Sequence, residues 1–186
     1  MEIIQAATQL ISERSIQELT IKNLSARIGV TEAALYRHFR SKVDILVAIL
    51  EQFREHGEVV RREALQRNAG PMELLEFIFL THVRTFVEKP YLADVVFSEE
   101  IFQNEDRLAD MVRSMMQQNF DAFVGMMRQG QQAGSIRNDI AAVELTTIFV
   151  GALRMLITRW RLQRFTDNLE HDGVSMWKAL QRILST

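Results

Sequence analysis

Cysteine is absent from the 186 residues, which excludes disulfides and thiolate chemistry and is compatible with a reducing compartment. Proline occurs twice, at positions 71 and 90, so little in the chain breaks helix. No run of about 18 apolar residues exists, and no membrane span is expected. The opening MEIIQAATQL has neither a basic start nor a cleavable apolar stretch, so no signal peptide is expected and the cytoplasm is the expected location. Glycine-rich phosphate loops, HExxH and well-spaced acid pairs are also missing, and the four histidines at 38, 56, 82 and 171 form no triad pattern. An enzyme is therefore not expected, and the sequence gives no reason to assign a catalytic residue, a cofactor or a metal site.

What the chain does have is 47% hydrophobic content, enough for one sizeable core or for a small head on a larger body. Leu, Ala, Gln, Glu, Arg and Met are abundant and favour helix, and no Val/Ile/Thr alternation of strand type is sustained. The fold class read from this is all-α. The net charge of −2 argues against a generic nucleic-acid binder. Its distribution argues otherwise. Lys22, Arg27, Arg37, Arg40 and Lys42 face only Glu32 across residues 22–42, a local charge of +4. A basic island on an acidic chain suits phosphate binding by one part of the molecule.

Ile3, Ile4, Ala7, Leu10 and Ile11 recur at helical spacing and predict a first helix over 2–14. Thr20 is the expected N-cap of a short second helix, IKNLSARI, which Gly29 ends. Thr31 caps a third, EAALYRHF. Ser41 and Asp44 form a start resembling a capping box for a long fourth helix over 42–67. Asn68 to Pro71 breaks the chain, and Pro71 opens a fifth helix ending near Glu88. Further helices are expected over 91–102, from about 104–106 to 132, over 142–164 and over 173–184, about nine in all. The boundary between a head (1–46) and a body (47–186) should fall in the fourth helix, as a continuous rod.

Two short helices joined by the turn Gly29-Val30-Thr31, the second flanked by cations, describe a helix-turn-helix over 20–42. Leu24, Ala26, Ile28, Leu35 and Phe39 suit its inside. The second helix is short enough to present a few side chains to a major groove about 12 Å wide.

The stretch TIKNLSARIGVTEAALYRHFRSKVDIL resembles the DNA-binding signature of the TetR family of bacterial regulators, at Thr20, Gly29, Val30, Thr31, Leu35, Tyr36, His38, Phe39 and Lys42. The preceding helix, with Ala6, Ala7 and Leu10, also fits. The resemblance implies that Thr20, Tyr36 and Lys42 contact phosphates, with His38 near the backbone. Thr31 lies at a helix N-terminus, where an anion is favoured. Glu32, Ala33, Ala34 and Arg37 then face the bases. Glu32 is read either as an acceptor from cytosine or as a helix-dipole partner. Arg37 reads guanine or holds phosphate, and Arg40 holds phosphate or is solvated. Members of the family often carry a basic arm before the first helix. Here Glu2 follows Met1, so either that contact is missing or the chain as given starts late.

For the body, the resemblance implies an apolar effector cavity. Phe79, His82, Val83, Phe86, Met115, Met116, Phe120 and Phe123 are its candidate lining, though residues at such spacing are also ordinary core. Methionine suits a surface that adapts to varied ligands, and His82 either orients a polar ligand group or is a satisfied histidine. Glu99, Glu100, Glu105 and Asp106 form an acidic cluster, read as a cation site or as a solvated loop. The segment ELTTIFVGALRMLITRWRL is too apolar for a helix with one solvated side. With the last helix it is expected to build a four-helix homodimer interface. The partners implied are a double-stranded DNA operator, a small apolar or aromatic effector and a second copy of the chain, with no membrane. The alternative is a family member that binds DNA and recruits a protein without sensing a metabolite.

Overall fold

The computed structural model describes residues 2–97 and 105–186. Its described residues form nine helices and no strand: α1 Glu2–Glu13, α2 Ile21–Ile28, α3 Glu32–Tyr36, α4 Lys42–Gln66, α5 Pro71–Glu88, α6 Tyr91–Val96, α7 Asp106–Gln132, α8 Ala142–Leu162 and α9 Leu169–Leu184. The all-α class and its order of elements are those read from periodicity and caps. No helix among the described residues is long and apolar enough to cross a membrane.

Three boundaries differ from expectation, each for a local reason. α3 stops at Tyr36, because the Leu35 carbonyl accepts from both His38 N–H and Phe39 N–H at 2.9 Å and tightens the chain into a turn. α6 ends at Val96, with Phe97 as its C-cap. The rest of the helix expected to reach 102, and with it Glu99, Glu100 and Phe102, lies outside the described residues. α9 begins four residues before Gly173, where Asn168 Oδ1 accepts from His171 N–H at 3.0 Å. Gly173 is an interior helix residue there for steric reasons: a Cβ at 173 would lie 2.8 Å from Val83 Cγ1.

The chain divides into two compact units, residues 1–56 with 90–113, and residues 57–89 with 114–186. Two of the three divisions fall inside helices, in α4 and in α7, and the third falls between α5 and α6 at Pro90. The first unit holds α1 to α3 around Ala7, Leu10, Leu19, Leu24 and Leu35, all nearly inaccessible to solvent. Ala26, expected inside, is exposed. Five residues after Ile21 and two after Leu24, at about 100° per residue, it lies on the far side of α2. The second unit centres on α5, packed against α8 and most extensively against α9. Phe79 is its hub, with ring centroids 5.5 Å from Phe149 and 6.0 Å from Trp177. Phe123 of α7 joins through Phe149 at 5.0 Å.

Candidate nucleic-acid interface

Backbone capping sets the geometry of residues 20–42. Thr20 has extended backbone, and its Oγ1 accepts from Asn23 N–H at 3.0 Å, so α2 starts where its first orphan donor finds a partner. Asn23 Nδ2 in turn donates to the Glu18 carbonyl at 2.9 Å and ties the preceding link to the helix. At the other end Gly29 is left-handed, with φ 79°. Gly29 N–H and Val30 N–H both donate to the Ser25 carbonyl, at 2.9 and 3.1 Å, which closes the helix and turns the chain. Thr31 then caps α3, its Oγ1 accepting from Ala34 N–H at 3.2 Å.

α3 has five residues and one buried side chain, Leu35. At about 100° per residue, Glu32, Ala33, Tyr36 and Arg37 fall within one arc of roughly 140°, opposite Leu35. All four are exposed, and Tyr36 is 50% accessible. A half-exposed tyrosine beside an exposed arginine offers hydroxyl and guanidinium donors outward. Ala34 sits at the edge of this arc and is half-buried, whereas Thr20, Thr31 and His38 are exposed. The cap bonds occupy acceptor positions on the two threonine oxygens, and each hydroxyl keeps its own proton to donate.

The basic island is smaller than its count of charges. Arg27 is gripped by Glu13, with Nη1 and Nη2 donating to the two carboxylate oxygens at 2.7 and 2.6 Å. These hydrogen bonds hold the Glu13 carboxyl below its usual range and raise Arg27. Arg27 therefore fastens α2 to α1. Lys42 is half-buried, and its Nζ donates to the Ile16 carbonyl at 2.5 Å. It anchors the link after α1 as well as carrying charge at the start of α4. Lys22, Arg37 and Arg40 are exposed.

The start of α4 is fixed by a residue read only as a cap. Asp44 N–H donates to Ser41 Oγ at 3.4 Å, as the capping box requires, but the carboxylate reaches one residue further back than a box does. Asp44 Oδ2 accepts from Arg40 N–H at 2.9 Å, and Oδ1 accepts from Arg107 Nη1 at 2.5 Å. Arg107, near the start of α7, had no signal in the sequence. Its hydrogen bond is the main reason the Asp44 carboxyl lies below the usual range, with the Arg40 N–H adding to it.

The candidate effector residues all lie in the second unit. Phe79, Val83, Phe86, Met115 and Phe123 are buried, Phe120 and His82 half-buried, and Met116 is 46% exposed. Val83 is seated on Gly173. His82 Nδ1 lies 2.9 Å from the Ile78 carbonyl of its own helix. No group of three or more potential metal-ligating side chains occurs among the described residues.

A capped helix-turn-helix on a helical body defines a DNA-binding transcriptional regulator, and comparison with known proteins gives the family. Residues 3–57 match the bacterial regulatory proteins of the tetR family. The nucleoid occlusion factor SlmA of Marinobacter nauticus is 30% identical over 166 residues, spanning 88% of this chain and 81% of that protein. The HTH-type transcriptional repressor KstR2 of Mycobacterium tuberculosis is 24% identical over 164 residues, 86% of this chain and 79% of that protein. The structure of the transcriptional regulator FadR from Bacillus subtilis in complex with stearoyl-CoA superposes with a TM-score of 0.83 at 20% identity, covering 99% of this chain and 98% of that one. The chain belongs to the TetR family of bacterial regulatory proteins. It is a DNA-binding transcriptional regulator and not an enzyme.

Proposed function

We propose that the protein is a cytoplasmic repressor that binds a palindromic operator as a homodimer and leaves it when a small apolar or aromatic effector binds. Residues 1–46 read DNA and residues 47–186 sense and dimerise. The observation that carries the DNA-binding part is the outward arc of α3, where Glu32, Ala33, Tyr36 and Arg37 are exposed opposite buried Leu35. Arg37 and Glu32 are suited to base edges, and Tyr36, Thr20, Thr31, Lys42 and His38 to the backbone on either side. Ala34 borders the base-reading set.

Dimerisation is supported by α8. Ile148, Met155 and Leu162 recur every seven residues and are 40%, 67% and 72% exposed. Exposed Gly151 lies between the first two and allows a close helix approach. Such a row is the seam of a helix pair awaiting its partner. Two-fold pairing places two heads about 34–36 Å apart, the spacing of successive major grooves. The effector is taken up within the second unit, around Phe79, His82, Phe86, Met115, Phe120 and Phe123, and favours a state in which the heads lose that spacing. The ligand in the FadR complex and the repressor role of KstR2 support this reading.

The experiment is sequencing of genomic fragments retained by the purified protein, followed by release assays with hydrophobic and aromatic compounds. A recovered palindrome, lost on Tyr36→Ala, and release by a compound are expected. Likeness to a nucleoid occlusion factor favours a second reading, DNA binding coupled to a protein partner. Retention of a palindrome with no compound able to release it would favour that reading instead.

A further inference from the structure

Two polar atoms of the second unit are buried without a hydrogen-bond partner, Trp177 Nε1 and Thr146 Oγ1. Trp177 is 2% exposed and Thr146 is fully buried. Comparable groups in the same unit are satisfied. Trp160 Nε1 donates to the Asp167 carbonyl at 3.0 Å. Buried Thr85 and exposed Thr147 both donate their hydroxyl protons to the carbonyls four residues back, at 2.8 and 2.9 Å. Thr146, next to Thr147 on α8, does not. A buried donor without a partner is costly and uncommon, so each such group calls for an explanation.

Both groups lie around one aromatic set. Gly173 and Trp177, one helical turn apart on α9, face Val83 and Phe79, one turn apart on α5. The absent side chain at 173 lets α9 come close enough to bring the indole to 6.0 Å from Phe79. Thr146 is three residues before Phe149 on α8, and the Phe149 ring meets both Phe79 and Phe123. The two atoms are inaccessible within one protomer, so whatever satisfies them must enter by parting α5, α8 and α9, which a second subunit packed on the outside of α8 and α9 does not do.

We infer that Trp177 Nε1 and Thr146 Oγ1 are the polar reading groups of the effector site, and that the effector is an apolar molecule carrying a neutral hydrogen-bond acceptor such as a ketone, ester, thioester or amide carbonyl. This rests on the effector-sensing reading above. Indole N–H only donates, and the threonine hydroxyl donates or accepts, so an acceptor satisfies both. The aromatic set holds no cation, and an unpaired buried carboxylate is far more costly than a carbonyl. Apolar walls with a few placed polar groups are the usual make-up of a small-molecule site.

The test uses the full-length protein and matched probes, 2-tridecanone against tridecane and acetophenone against ethylbenzene. Affinities are measured together with the ¹⁵N indole resonance of Trp177, assigned by its loss in Trp177→Phe. In the pair that binds, the ketone should bind about tenfold tighter or more and shift the indole proton downfield. Trp177→Phe and Thr146→Val should each remove about tenfold from ketone affinity, leave hydrocarbon affinity unchanged, and leave the unliganded Tm equal or higher. Thr146→Val is near-isosteric and keeps the test decisive if Trp177→Phe does not fold. Equal binding of ketone and hydrocarbon with an unmoved resonance overturns the inference and leaves effector sensing intact. Failure of every probe, and of stearoyl-CoA, to bind or to release DNA overturns both.

Discussion

Asp44 carries a perturbation whose size follows from its contacts. Replacing it by Ala removes the acceptor for Arg40 N–H and for Arg107 Nη1. Loss of the helix-start acceptor costs about 1 kcal/mol. The ion pair adds less, because Arg107 is 62% exposed and solvent screens it, although Asp44 is only 23% exposed; about 0.5 kcal/mol is its share. Asp44→Ala should then lose about 1.5 kcal/mol, lowering Tm by roughly 3–6 °C in a chain of this size. Arg107→Ala should lose only about 0.5 kcal/mol. Urea denaturation of wild type, both single variants and the double variant measures this, and the double should cost no more than Asp44→Ala alone. The pH dependence has a definite sign. The folded carboxyl titrates below its unfolded counterpart, so its contribution is complete above the unfolded value of about 3.9 and is lost as pH falls through the folded value. The gap between wild type and Asp44→Ala should be constant from about pH 5 to 8 and shrink below about pH 4. Additive costs for the two single variants, or a gap indifferent to acid, would refute the reasoning.

Arg27→Ala should destabilise the first unit without altering the salt dependence of DNA binding, since its guanidinium is already committed to Glu13; a flattened salt slope would show that it touches phosphate. Gly173→Ala should lose about 1–2 kcal/mol in urea denaturation, because the overlap of its Cβ with Val83 outweighs the helix propensity gained. Val83→Ala in the same chain should restore part of that loss, and a stabilised Gly173→Ala would mean that α9 does not pack so closely. Met155→Glu with Leu162→Glu should shift sedimentation from dimer to monomer while each protomer stays folded, and an undisturbed dimer would place the interface elsewhere.

The parts legible in the sequence are those whose physics is local. Thr20, Gly29 and Thr31 declared the limits of α2 and the start of α3, because a cap is satisfied within three or four residues. Periodicity likewise located the long helices to within a turn. What escaped depends on partners far along the chain. Arg27 counted as a free cation until Glu13, 14 residues away, was found holding it. Lys42 reaches a carbonyl 26 residues back, and Asp44 an arginine 63 residues on. Gly173 looked like a helix boundary because a glycine's reason for being inside a helix is set by its neighbour, here Val83. Thr146 and Trp177 were invisible as polar groups. Their types are ordinary in a core, and only three-dimensional burial reveals that nothing answers them.

The central claim is that the exposed face of α3, set by the turn at Gly29 to Thr31, is laid against DNA. The most direct measurement is binding to the recovered operator across about 50 to 300 mM salt for wild type and Arg37→Ala. Wild-type affinity should fall steeply and linearly on logarithmic axes, and Arg37→Ala, which removes one cation from each of two heads, should flatten the slope by about 2 if both contact phosphate, or weaken binding mainly at one base position in each half-site if they read guanine. Affinity independent of salt and unchanged in Arg37→Ala and Tyr36→Ala would contradict the account.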